Sequence, residues 1–121
     1  TARKMYTSAR LLVAFQPHLF SRTRDFAEDF GAALAEADSV WVTDIFPARE
    51  TPIPGVTGGT VAEAVQRAGG GHVSYVPAIG DLPNLLAEEL RAGDVLLTLG
   101  AGSIDSLGGQ VLDRLGERVH A

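Results

Sequence analysis

A three-layer α/β domain, with a mainly parallel sheet and helices on both faces, is the fold class this sequence predicts. Two observations predict it. Short β-rich apolar runs alternate with amphipathic helical stretches along the chain, the order that leads to parallel strands joined by right-handed crossovers. The first run, Leu11 to Phe15, is unbroken, as in a strand covered on both faces.

The elements follow in order. Ser21 to Ala37 reads as a helix, with Phe26, Phe30, Ala33, Leu34 and Ala37 on one inward stripe and Glu28, Asp29 and Glu36 largely off it. Ser39 to Ile45 is the second strand. Thr60 to Ala68 is a short helix whose Thr60 and Glu63 have capping-box spacing, ended by the glycines at 69 to 71. His72 to Val76 is the third strand. Asp81 is placed to cap a helix carrying Leu82, Leu85, Leu86 and Leu90 inward, with Gly93 as its stop. Asp94 to Leu99 is the fourth strand. Ile104, Leu107, Val111 and Leu115 mark a last helix, loosened by Gly108 and Gly109. Phe46 to Gly59 is a long loop stiffened by three prolines, and residues 1–10 read as a frayed end, a truncated helix or a tag remnant.

Bulk properties narrow the function. A chain of 121 residues fits one domain with one core. A formal charge of −5 argues against a general nucleic-acid binder, because affinity for phosphate backbones rests on clustered Lys and Arg. It leaves room for one small anion in a local basic pocket. Cysteine is absent, which rules out disulfides and thiolate metal sites. No apolar run approaches the roughly 20 residues of a membrane span. No signal peptide is visible, and a first residue of Thr rather than Met fits a processed or excised chain.

Ligands of open α/β sheets bind outside the carboxyl ends of the strands, where neighbouring connections leave to opposite faces. A strand order of 3-2-1-4 would put two loops beside one such crevice. In the first, Ser21, Arg22 and Thr23 sit at a helix start, where free N–H groups and the helix dipole favour an anion. Arg22 adds a forked permanent charge, and His18 lies just upstream. The alternative is a capped helix with solvated arginines and a surface histidine. In the second loop, Gly100 and Gly102 let backbone approach a ligand closely. Asp105 breaks the dinucleotide fingerprint, however, so a tight strand-to-helix turn competes with that role. Asp44 and Glu50 flank the second strand's carboxyl end, better suited to fixing the proline-rich loop than to facing the crevice. Trp41 and the phenylalanines are assigned to the core. His18, His72 and His120 lack a metal-like spacing, and neither a G-x-S-x-G elbow nor a G-x-x-x-x-G-K-[ST] phosphate loop is present.

Three stretches carry a family resemblance: VAFQPHLFSRTRDFAEDFGAAL, VTDIFPARETPIPGVTGGTV and GDVLLTLGAGSIDSL. In this order they resemble the C-terminal domain of the Mur ligases, over about residues 11–116. The F-Q-P-H-x-[FY]-S-R-T string points to the alanine-adding branch rather than to the muropeptide-recycling one. The resemblance implies a Rossmann-like domain at 11–121, the last part of a three-domain cytoplasmic enzyme of peptidoglycan synthesis, and so of cell shape and division. It further implies ATP-dependent addition of L-alanine to UDP-N-acetylmuramate through an acyl phosphate. The UDP-sugar, magnesium and most ATP contacts would belong to N-terminal and central domains outside this chain. No cofactor, metal or catalytic residue is then expected in the chain alone. His18 and Arg22 match motif positions that hold the alanine end of the substrates; Ser21 and Thr23 match too and are expected to cap.

Departures from the family pattern have consequences. Many members carry Arg where this chain has Leu19, so a second positive contact is absent or supplied elsewhere. Ser103 stands where the last signature often has Asp. An upstream D-Y-[AG]-H-H-P segment has no counterpart in residues 1–10, which implies a truncated domain. A stand-alone module holding a small anion without chemistry is the alternative; an upstream reading frame with a P-loop would separate the two.

Overall fold

The unbroken apolar run forms the middle of the sheet. The structure, a computed structural model, describes residues 9–100, 107, 109–112 and 115. In it β1 (Leu11–Gln16) is buried along its whole length. It pairs in parallel with β2 (Ser39–Val42) on one side and β4 (Val95–Gly100) on the other. β3 (Val73–Tyr75) extends the sheet beyond β2, so the order is β3-β2-β1-β4, as the two-loop crevice requires.

Side chains of β1 alternate between two apolar clusters, the period of a strand. Leu11, Val13 and Phe15 pack with Val40 and Val42 under α1 (Phe20–Leu34) and α2 (Gly58–Arg67), through Leu34, Val61 and Val65. Leu12 and Ala14 pack on the other face with Trp41, with Leu82 and Leu86 of α3 (Leu82–Glu89), and with Leu107 and Val111. Both faces are therefore covered, which is why β1 carries no polar alternation. At the amino ends of β1 and β4, Arg10 joins the two strands: its Nη2 donates to Asp94 Oδ2 at 2.5 Å and to the Glu89 carbonyl at 2.7 Å. The last residue of the segment read as a frayed end is thus a strand-to-strand clamp.

Helix α1 is rotated from its expected stripe: Phe30, Leu34 and, beyond its end, Ala37 pack on the first cluster, but Phe26 and Ala33 do not. Thr23, Ala27, Gly31 and Leu34 are buried, whereas Phe26 is 49% exposed and Ala33 also faces out. The reason is close helix packing: a Cβ on Gly31 would lie 2.6 Å from the Ala64 backbone of α2. Small residues let the helices approach, and the bulky ring at Phe26 is left outside, touching the edge of Phe30.

Helix α2 also starts earlier than Thr60. Thr57 is its N-cap: its hydroxyl accepts from the Gly59 N–H, and the Thr60 hydroxyl accepts from the Thr57 N–H, both at 3.1 Å. The box uses Thr57 and Thr60, not Thr60 and Glu63, because Gly58 is tucked against β2, where a Cβ would meet the Thr43 carbonyl oxygen at 1.9 Å. Asp81 stands at the start of α3 but makes no capping bond. A 3-10 turn (Ile79–Asp81) leads into the helix, giving Asp81 a helical backbone instead of the extended one a cap needs. Leu85 is 41% exposed, so only Leu82 and Leu86 of the helix's expected leucines are fully buried, while Leu90 packs at the cluster's edge. Leu107, Val111 and Leu115 do join the second cluster; Ile104 and Gly108 lie outside the described residues. No helix among the described residues is long and apolar enough to cross a membrane.

Gly31→Ala tests the helix contact. On an isolated helix it would stabilise by about 1 kcal/mol. Here the added methyl must displace backbone, so urea denaturation should instead show a loss of about 1–3 kcal/mol.

Candidate functional site

Two connections leave the sheet's carboxyl edge between β1 and β4. The chain steps from β1 through β2 to β3 and then returns to β4 on the far side of β1, which makes this edge the point where connections diverge. Gln16, the last residue of β1, pairs with Gly100, the last of β4. Gly100 has φ +131°, and a Cβ there would come within 2.3 Å of the Gln16 carbonyl oxygen, so the pinch between the strand ends requires glycine. Gln16 is buried, and its Oε1 has no hydrogen-bond partner among the described residues. Gly102 and Ser103, the rest of that loop's candidate residues, lie outside the described residues.

Beyond Gln16 the β1–α1 connection is zipped to the loop after β2. Phe46 donates its N–H to the Pro17 carbonyl at 2.8 Å and accepts from the Leu19 N–H at 3.0 Å, an isolated parallel bridge between His18 and Phe46. The His18 imidazole lies over the Phe46 ring, centroids 6.0 Å apart. Leu19 takes φ +68°, a strained backbone for a branched side chain, and stands at the N-cap of α1 with nothing to cap it.

The cap comes from another loop. A turn closes from the Glu50 N–H to the Pro47 carbonyl at 2.9 Å, with Ala48 at φ +53°. From that turn the Glu50 carboxylate accepts from the Ser21 N–H at 2.9 Å and from the Ser21 hydroxyl at 2.5 Å. The expectation that Ser21 and Thr23 cap the helix is corrected: both hydroxyls are donors, Ser21 to Glu50 and Thr23 to the Leu19 carbonyl at 2.8 Å. With Leu19 at the N-cap, Ser21 and Thr23 fall inside the first turn, too late to accept its free N–H groups. The helix terminus, which the sequence left open between an anion pocket and a capped helix, therefore receives the chain's own carboxylate.

Arg22 is exposed and forms no salt bridge among the described residues, whereas Arg24 next to it is paired with Asp25 at 2.9 Å. His18 is half-buried. Asp44 accepts from the Tyr75 hydroxyl at 2.8 Å and from the Gly58 N–H, tying the far end of the proline-rich loop to β3. Burial, and then Asp44, keep that hydroxyl protonated above the ordinary tyrosine range. A second cleft of about 610 Å³, bordered by Arg10, Asp38, Trp41, His72 and Glu88, opens at the amino ends of the strands, the wrong end for a ligand in this fold. Among the described residues no three His, Asp or Glu side chains converge as metal ligands.

The chain's residues 1–102 match the family model described as Mur ligase, glutamate ligase domain. The chain belongs to the Mur ligase family. Among its relatives, a UDP-N-acetylmuramate–L-alanine ligase of Cutibacterium acnes is 58% identical over 108 residues, covering 88% of this chain and 23% of that protein. The enzyme of the same name from Chlorobium phaeovibrioides is 49% identical over 123 residues, 97% of this chain and 26% of the relative. The chain thus spans about a quarter of the length of the curated relatives it matches. The crystal structure of UDP-N-acetylmuramate-alanine ligase from Thermotoga maritima superposes with a TM-score of 0.68 over 98% of this chain and 23% of that one; at 23% identity it speaks for the fold.

In this Mur ligase chain the Glu50 carboxyl is held below its ordinary 4.5, first by the Ser21 hydroxyl and then by the Ser21 N–H. The sign of the consequence follows. A carboxyl that releases its proton more easily when folded stabilises the fold above its unfolded pKa, and that contribution fades as pH falls through the lowered folded value. Thermal melts of Glu50→Gln between pH 7 and pH 3 should therefore lose less stability on acidification than wild type. Equal slopes would mean that Glu50 is not charged against the helix.

Proposed function

We propose that this chain is the C-terminal domain of a cytoplasmic UDP-N-acetylmuramate–L-alanine ligase of peptidoglycan synthesis, and that it carries the amino-acid end of the site and closes over the reaction. The observation that carries the reading is the 58% identity to a protein of that name across 88% of the chain. The Arg22 guanidinium, exposed and without a salt bridge among the described residues, and His18, on the same β1–α1 connection, support it from the geometry. Arg22 pairs with the alanine carboxylate through its planar fork, a geometry that a lysine could not supply. His18, seated on Phe46, donates to the same carboxylate and sets its angle. Gly100 keeps the opposite strand end free of a side chain.

The described residues form no recognisable site for ATP or magnesium. The described residues hold no triad of metal-ligating side chains, and the sequence has no P-loop. ATP supplies the phosphoryl group that activates the muramoyl carboxylate, and we assign its binding, with magnesium and the UDP-sugar, to the N-terminal and central domains of the whole protein. The alanine amine then attacks the acyl-phosphate carbonyl, the bond to phosphate breaks, and inorganic phosphate and a proton leave as the amide forms, while this chain holds the amino acid in place and excludes water.

Two measurements test the reading. The isolated chain, mixed with ATP, UDP-N-acetylmuramate and L-alanine, should release no ADP; turnover would overturn the division of labour. In the full-length ligase, Arg22→Ala should lower kcat/KM for L-alanine by the equivalent of about 1.5–3 kcal/mol, as for a lost charged hydrogen bond. An unchanged value would return Arg22 to the solvated surface.

A further inference from the structure

We propose that Glu50 is a positioning residue for the amino-acid site: it occupies the N-terminus of α1 so that the incoming carboxylate is taken by the Arg22 and His18 side chains. The proposal rests on the reading of those two residues given above.

A free helix N-terminus binds carboxylates through its unpaired N–H groups and positive dipole end. The residue that would compete with this terminus for an amino acid is Arg22, which lies in the same first turn. Left open, the terminus would offer the substrate a second pose, with its amine in a different place. Glu50 removes that pose by placing its own charge on Ser21, the residue immediately before Arg22. It also ties the first turn to the loop that carries Phe46, and Phe46 in turn seats His18. One carboxylate therefore sets the location of both donors relative to the strand ends. The turn from Pro47 to Glu50, held with Ala48 at positive φ, aims it there. None of this chemistry requires Glu50 to touch the substrate.

The test is steady-state kinetics of the full-length ligase, comparing wild type with Glu50→Ala, Glu50→Gln, Arg22→Ala and the Glu50→Ala/Arg22→Ala double variant. Glu50→Ala should raise KM for L-alanine by about tenfold while leaving KM for ATP and UDP-N-acetylmuramate within about twofold of wild type. Glu50→Gln keeps the size and one acceptor and should recover part of that loss. In the Arg22→Ala background, Glu50→Ala should add less than about twofold, because residues that act through one another are not additive. A parallel rise in all three KM values, or an unchanged KM for alanine in a folded variant, would make Glu50 a structural clasp and overturn the proposal. Where Glu50→Ala does not fold, Glu50→Gln and Ser21→Ala carry the same expectation at smaller size. An Arg22 effect without a Glu50 effect overturns this proposal alone. No effect of Arg22→Ala overturns the reading beneath it as well.

Discussion

β1 has water on neither face, and most of the architecture follows from that. Six consecutive buried residues need an apolar layer on each side, so helices must lie both above and below the sheet. The chain meets that demand by sending β1, β2 and β3 outward under α1 and α2 and then bringing β4 back along the other edge of β1. α3 and the residues around Leu107 and Val111 cover the second face. The return also creates the place where connections part, so the covering of one strand and the location of the candidate site have a common cause.

At that place, the charges of the chain are largely spent on holding loops together. Phe46 extends the pairing of β1 and β2 past their ends, Asp44 secures one end of the proline-rich loop through Tyr75, and Glu50 secures its middle through Ser21. Helix termini attract anions because their N–H groups have no partner, and a carboxylate from the same chain answers that need as well as a ligand would. What remains unsatisfied is therefore more informative than what is polar. Arg22, with no carboxylate partner among the described residues, and Gln16, whose buried carbonyl lacks a donor among them, stand out against Arg24, Asp44 and Glu50, whose partners lie within the fold.

The fold class, the parallel sheet and the positions of the strands could be read from residue order because they depend on local periodicity and burial, which leave a direct trace in composition. The same holds for the loop that bears His18, Ser21, Arg22 and Thr23, since a polar break after an apolar strand is a local event. The resemblance to Mur ligases was carried by strings of the same kind. Element ends were less legible: α2 begins at Gly58, not at the more obvious Thr60, because the Thr43 backbone leaves space only for a glycine.

Facing and partnership needed three dimensions. Of the five apolar residues expected on one inward stripe, Phe30, Leu34 and Ala37 pack on the core, yet the helix is rotated so that Gly31 meets Ala64 and Phe26 is left outside, because closeness of two backbones outweighs the burial of one ring. Ser21 and Thr23 look like caps in any sequence; they become donors because Leu19, at positive φ, takes the capping position. Glu50 is 29 residues from Ser21, and no spacing rule joins them. Sequence specifies which groups must find a partner, through their burial and charge. Which partner they find depends on where the packed layers bring distant loops together, and that is settled only when the chain has folded.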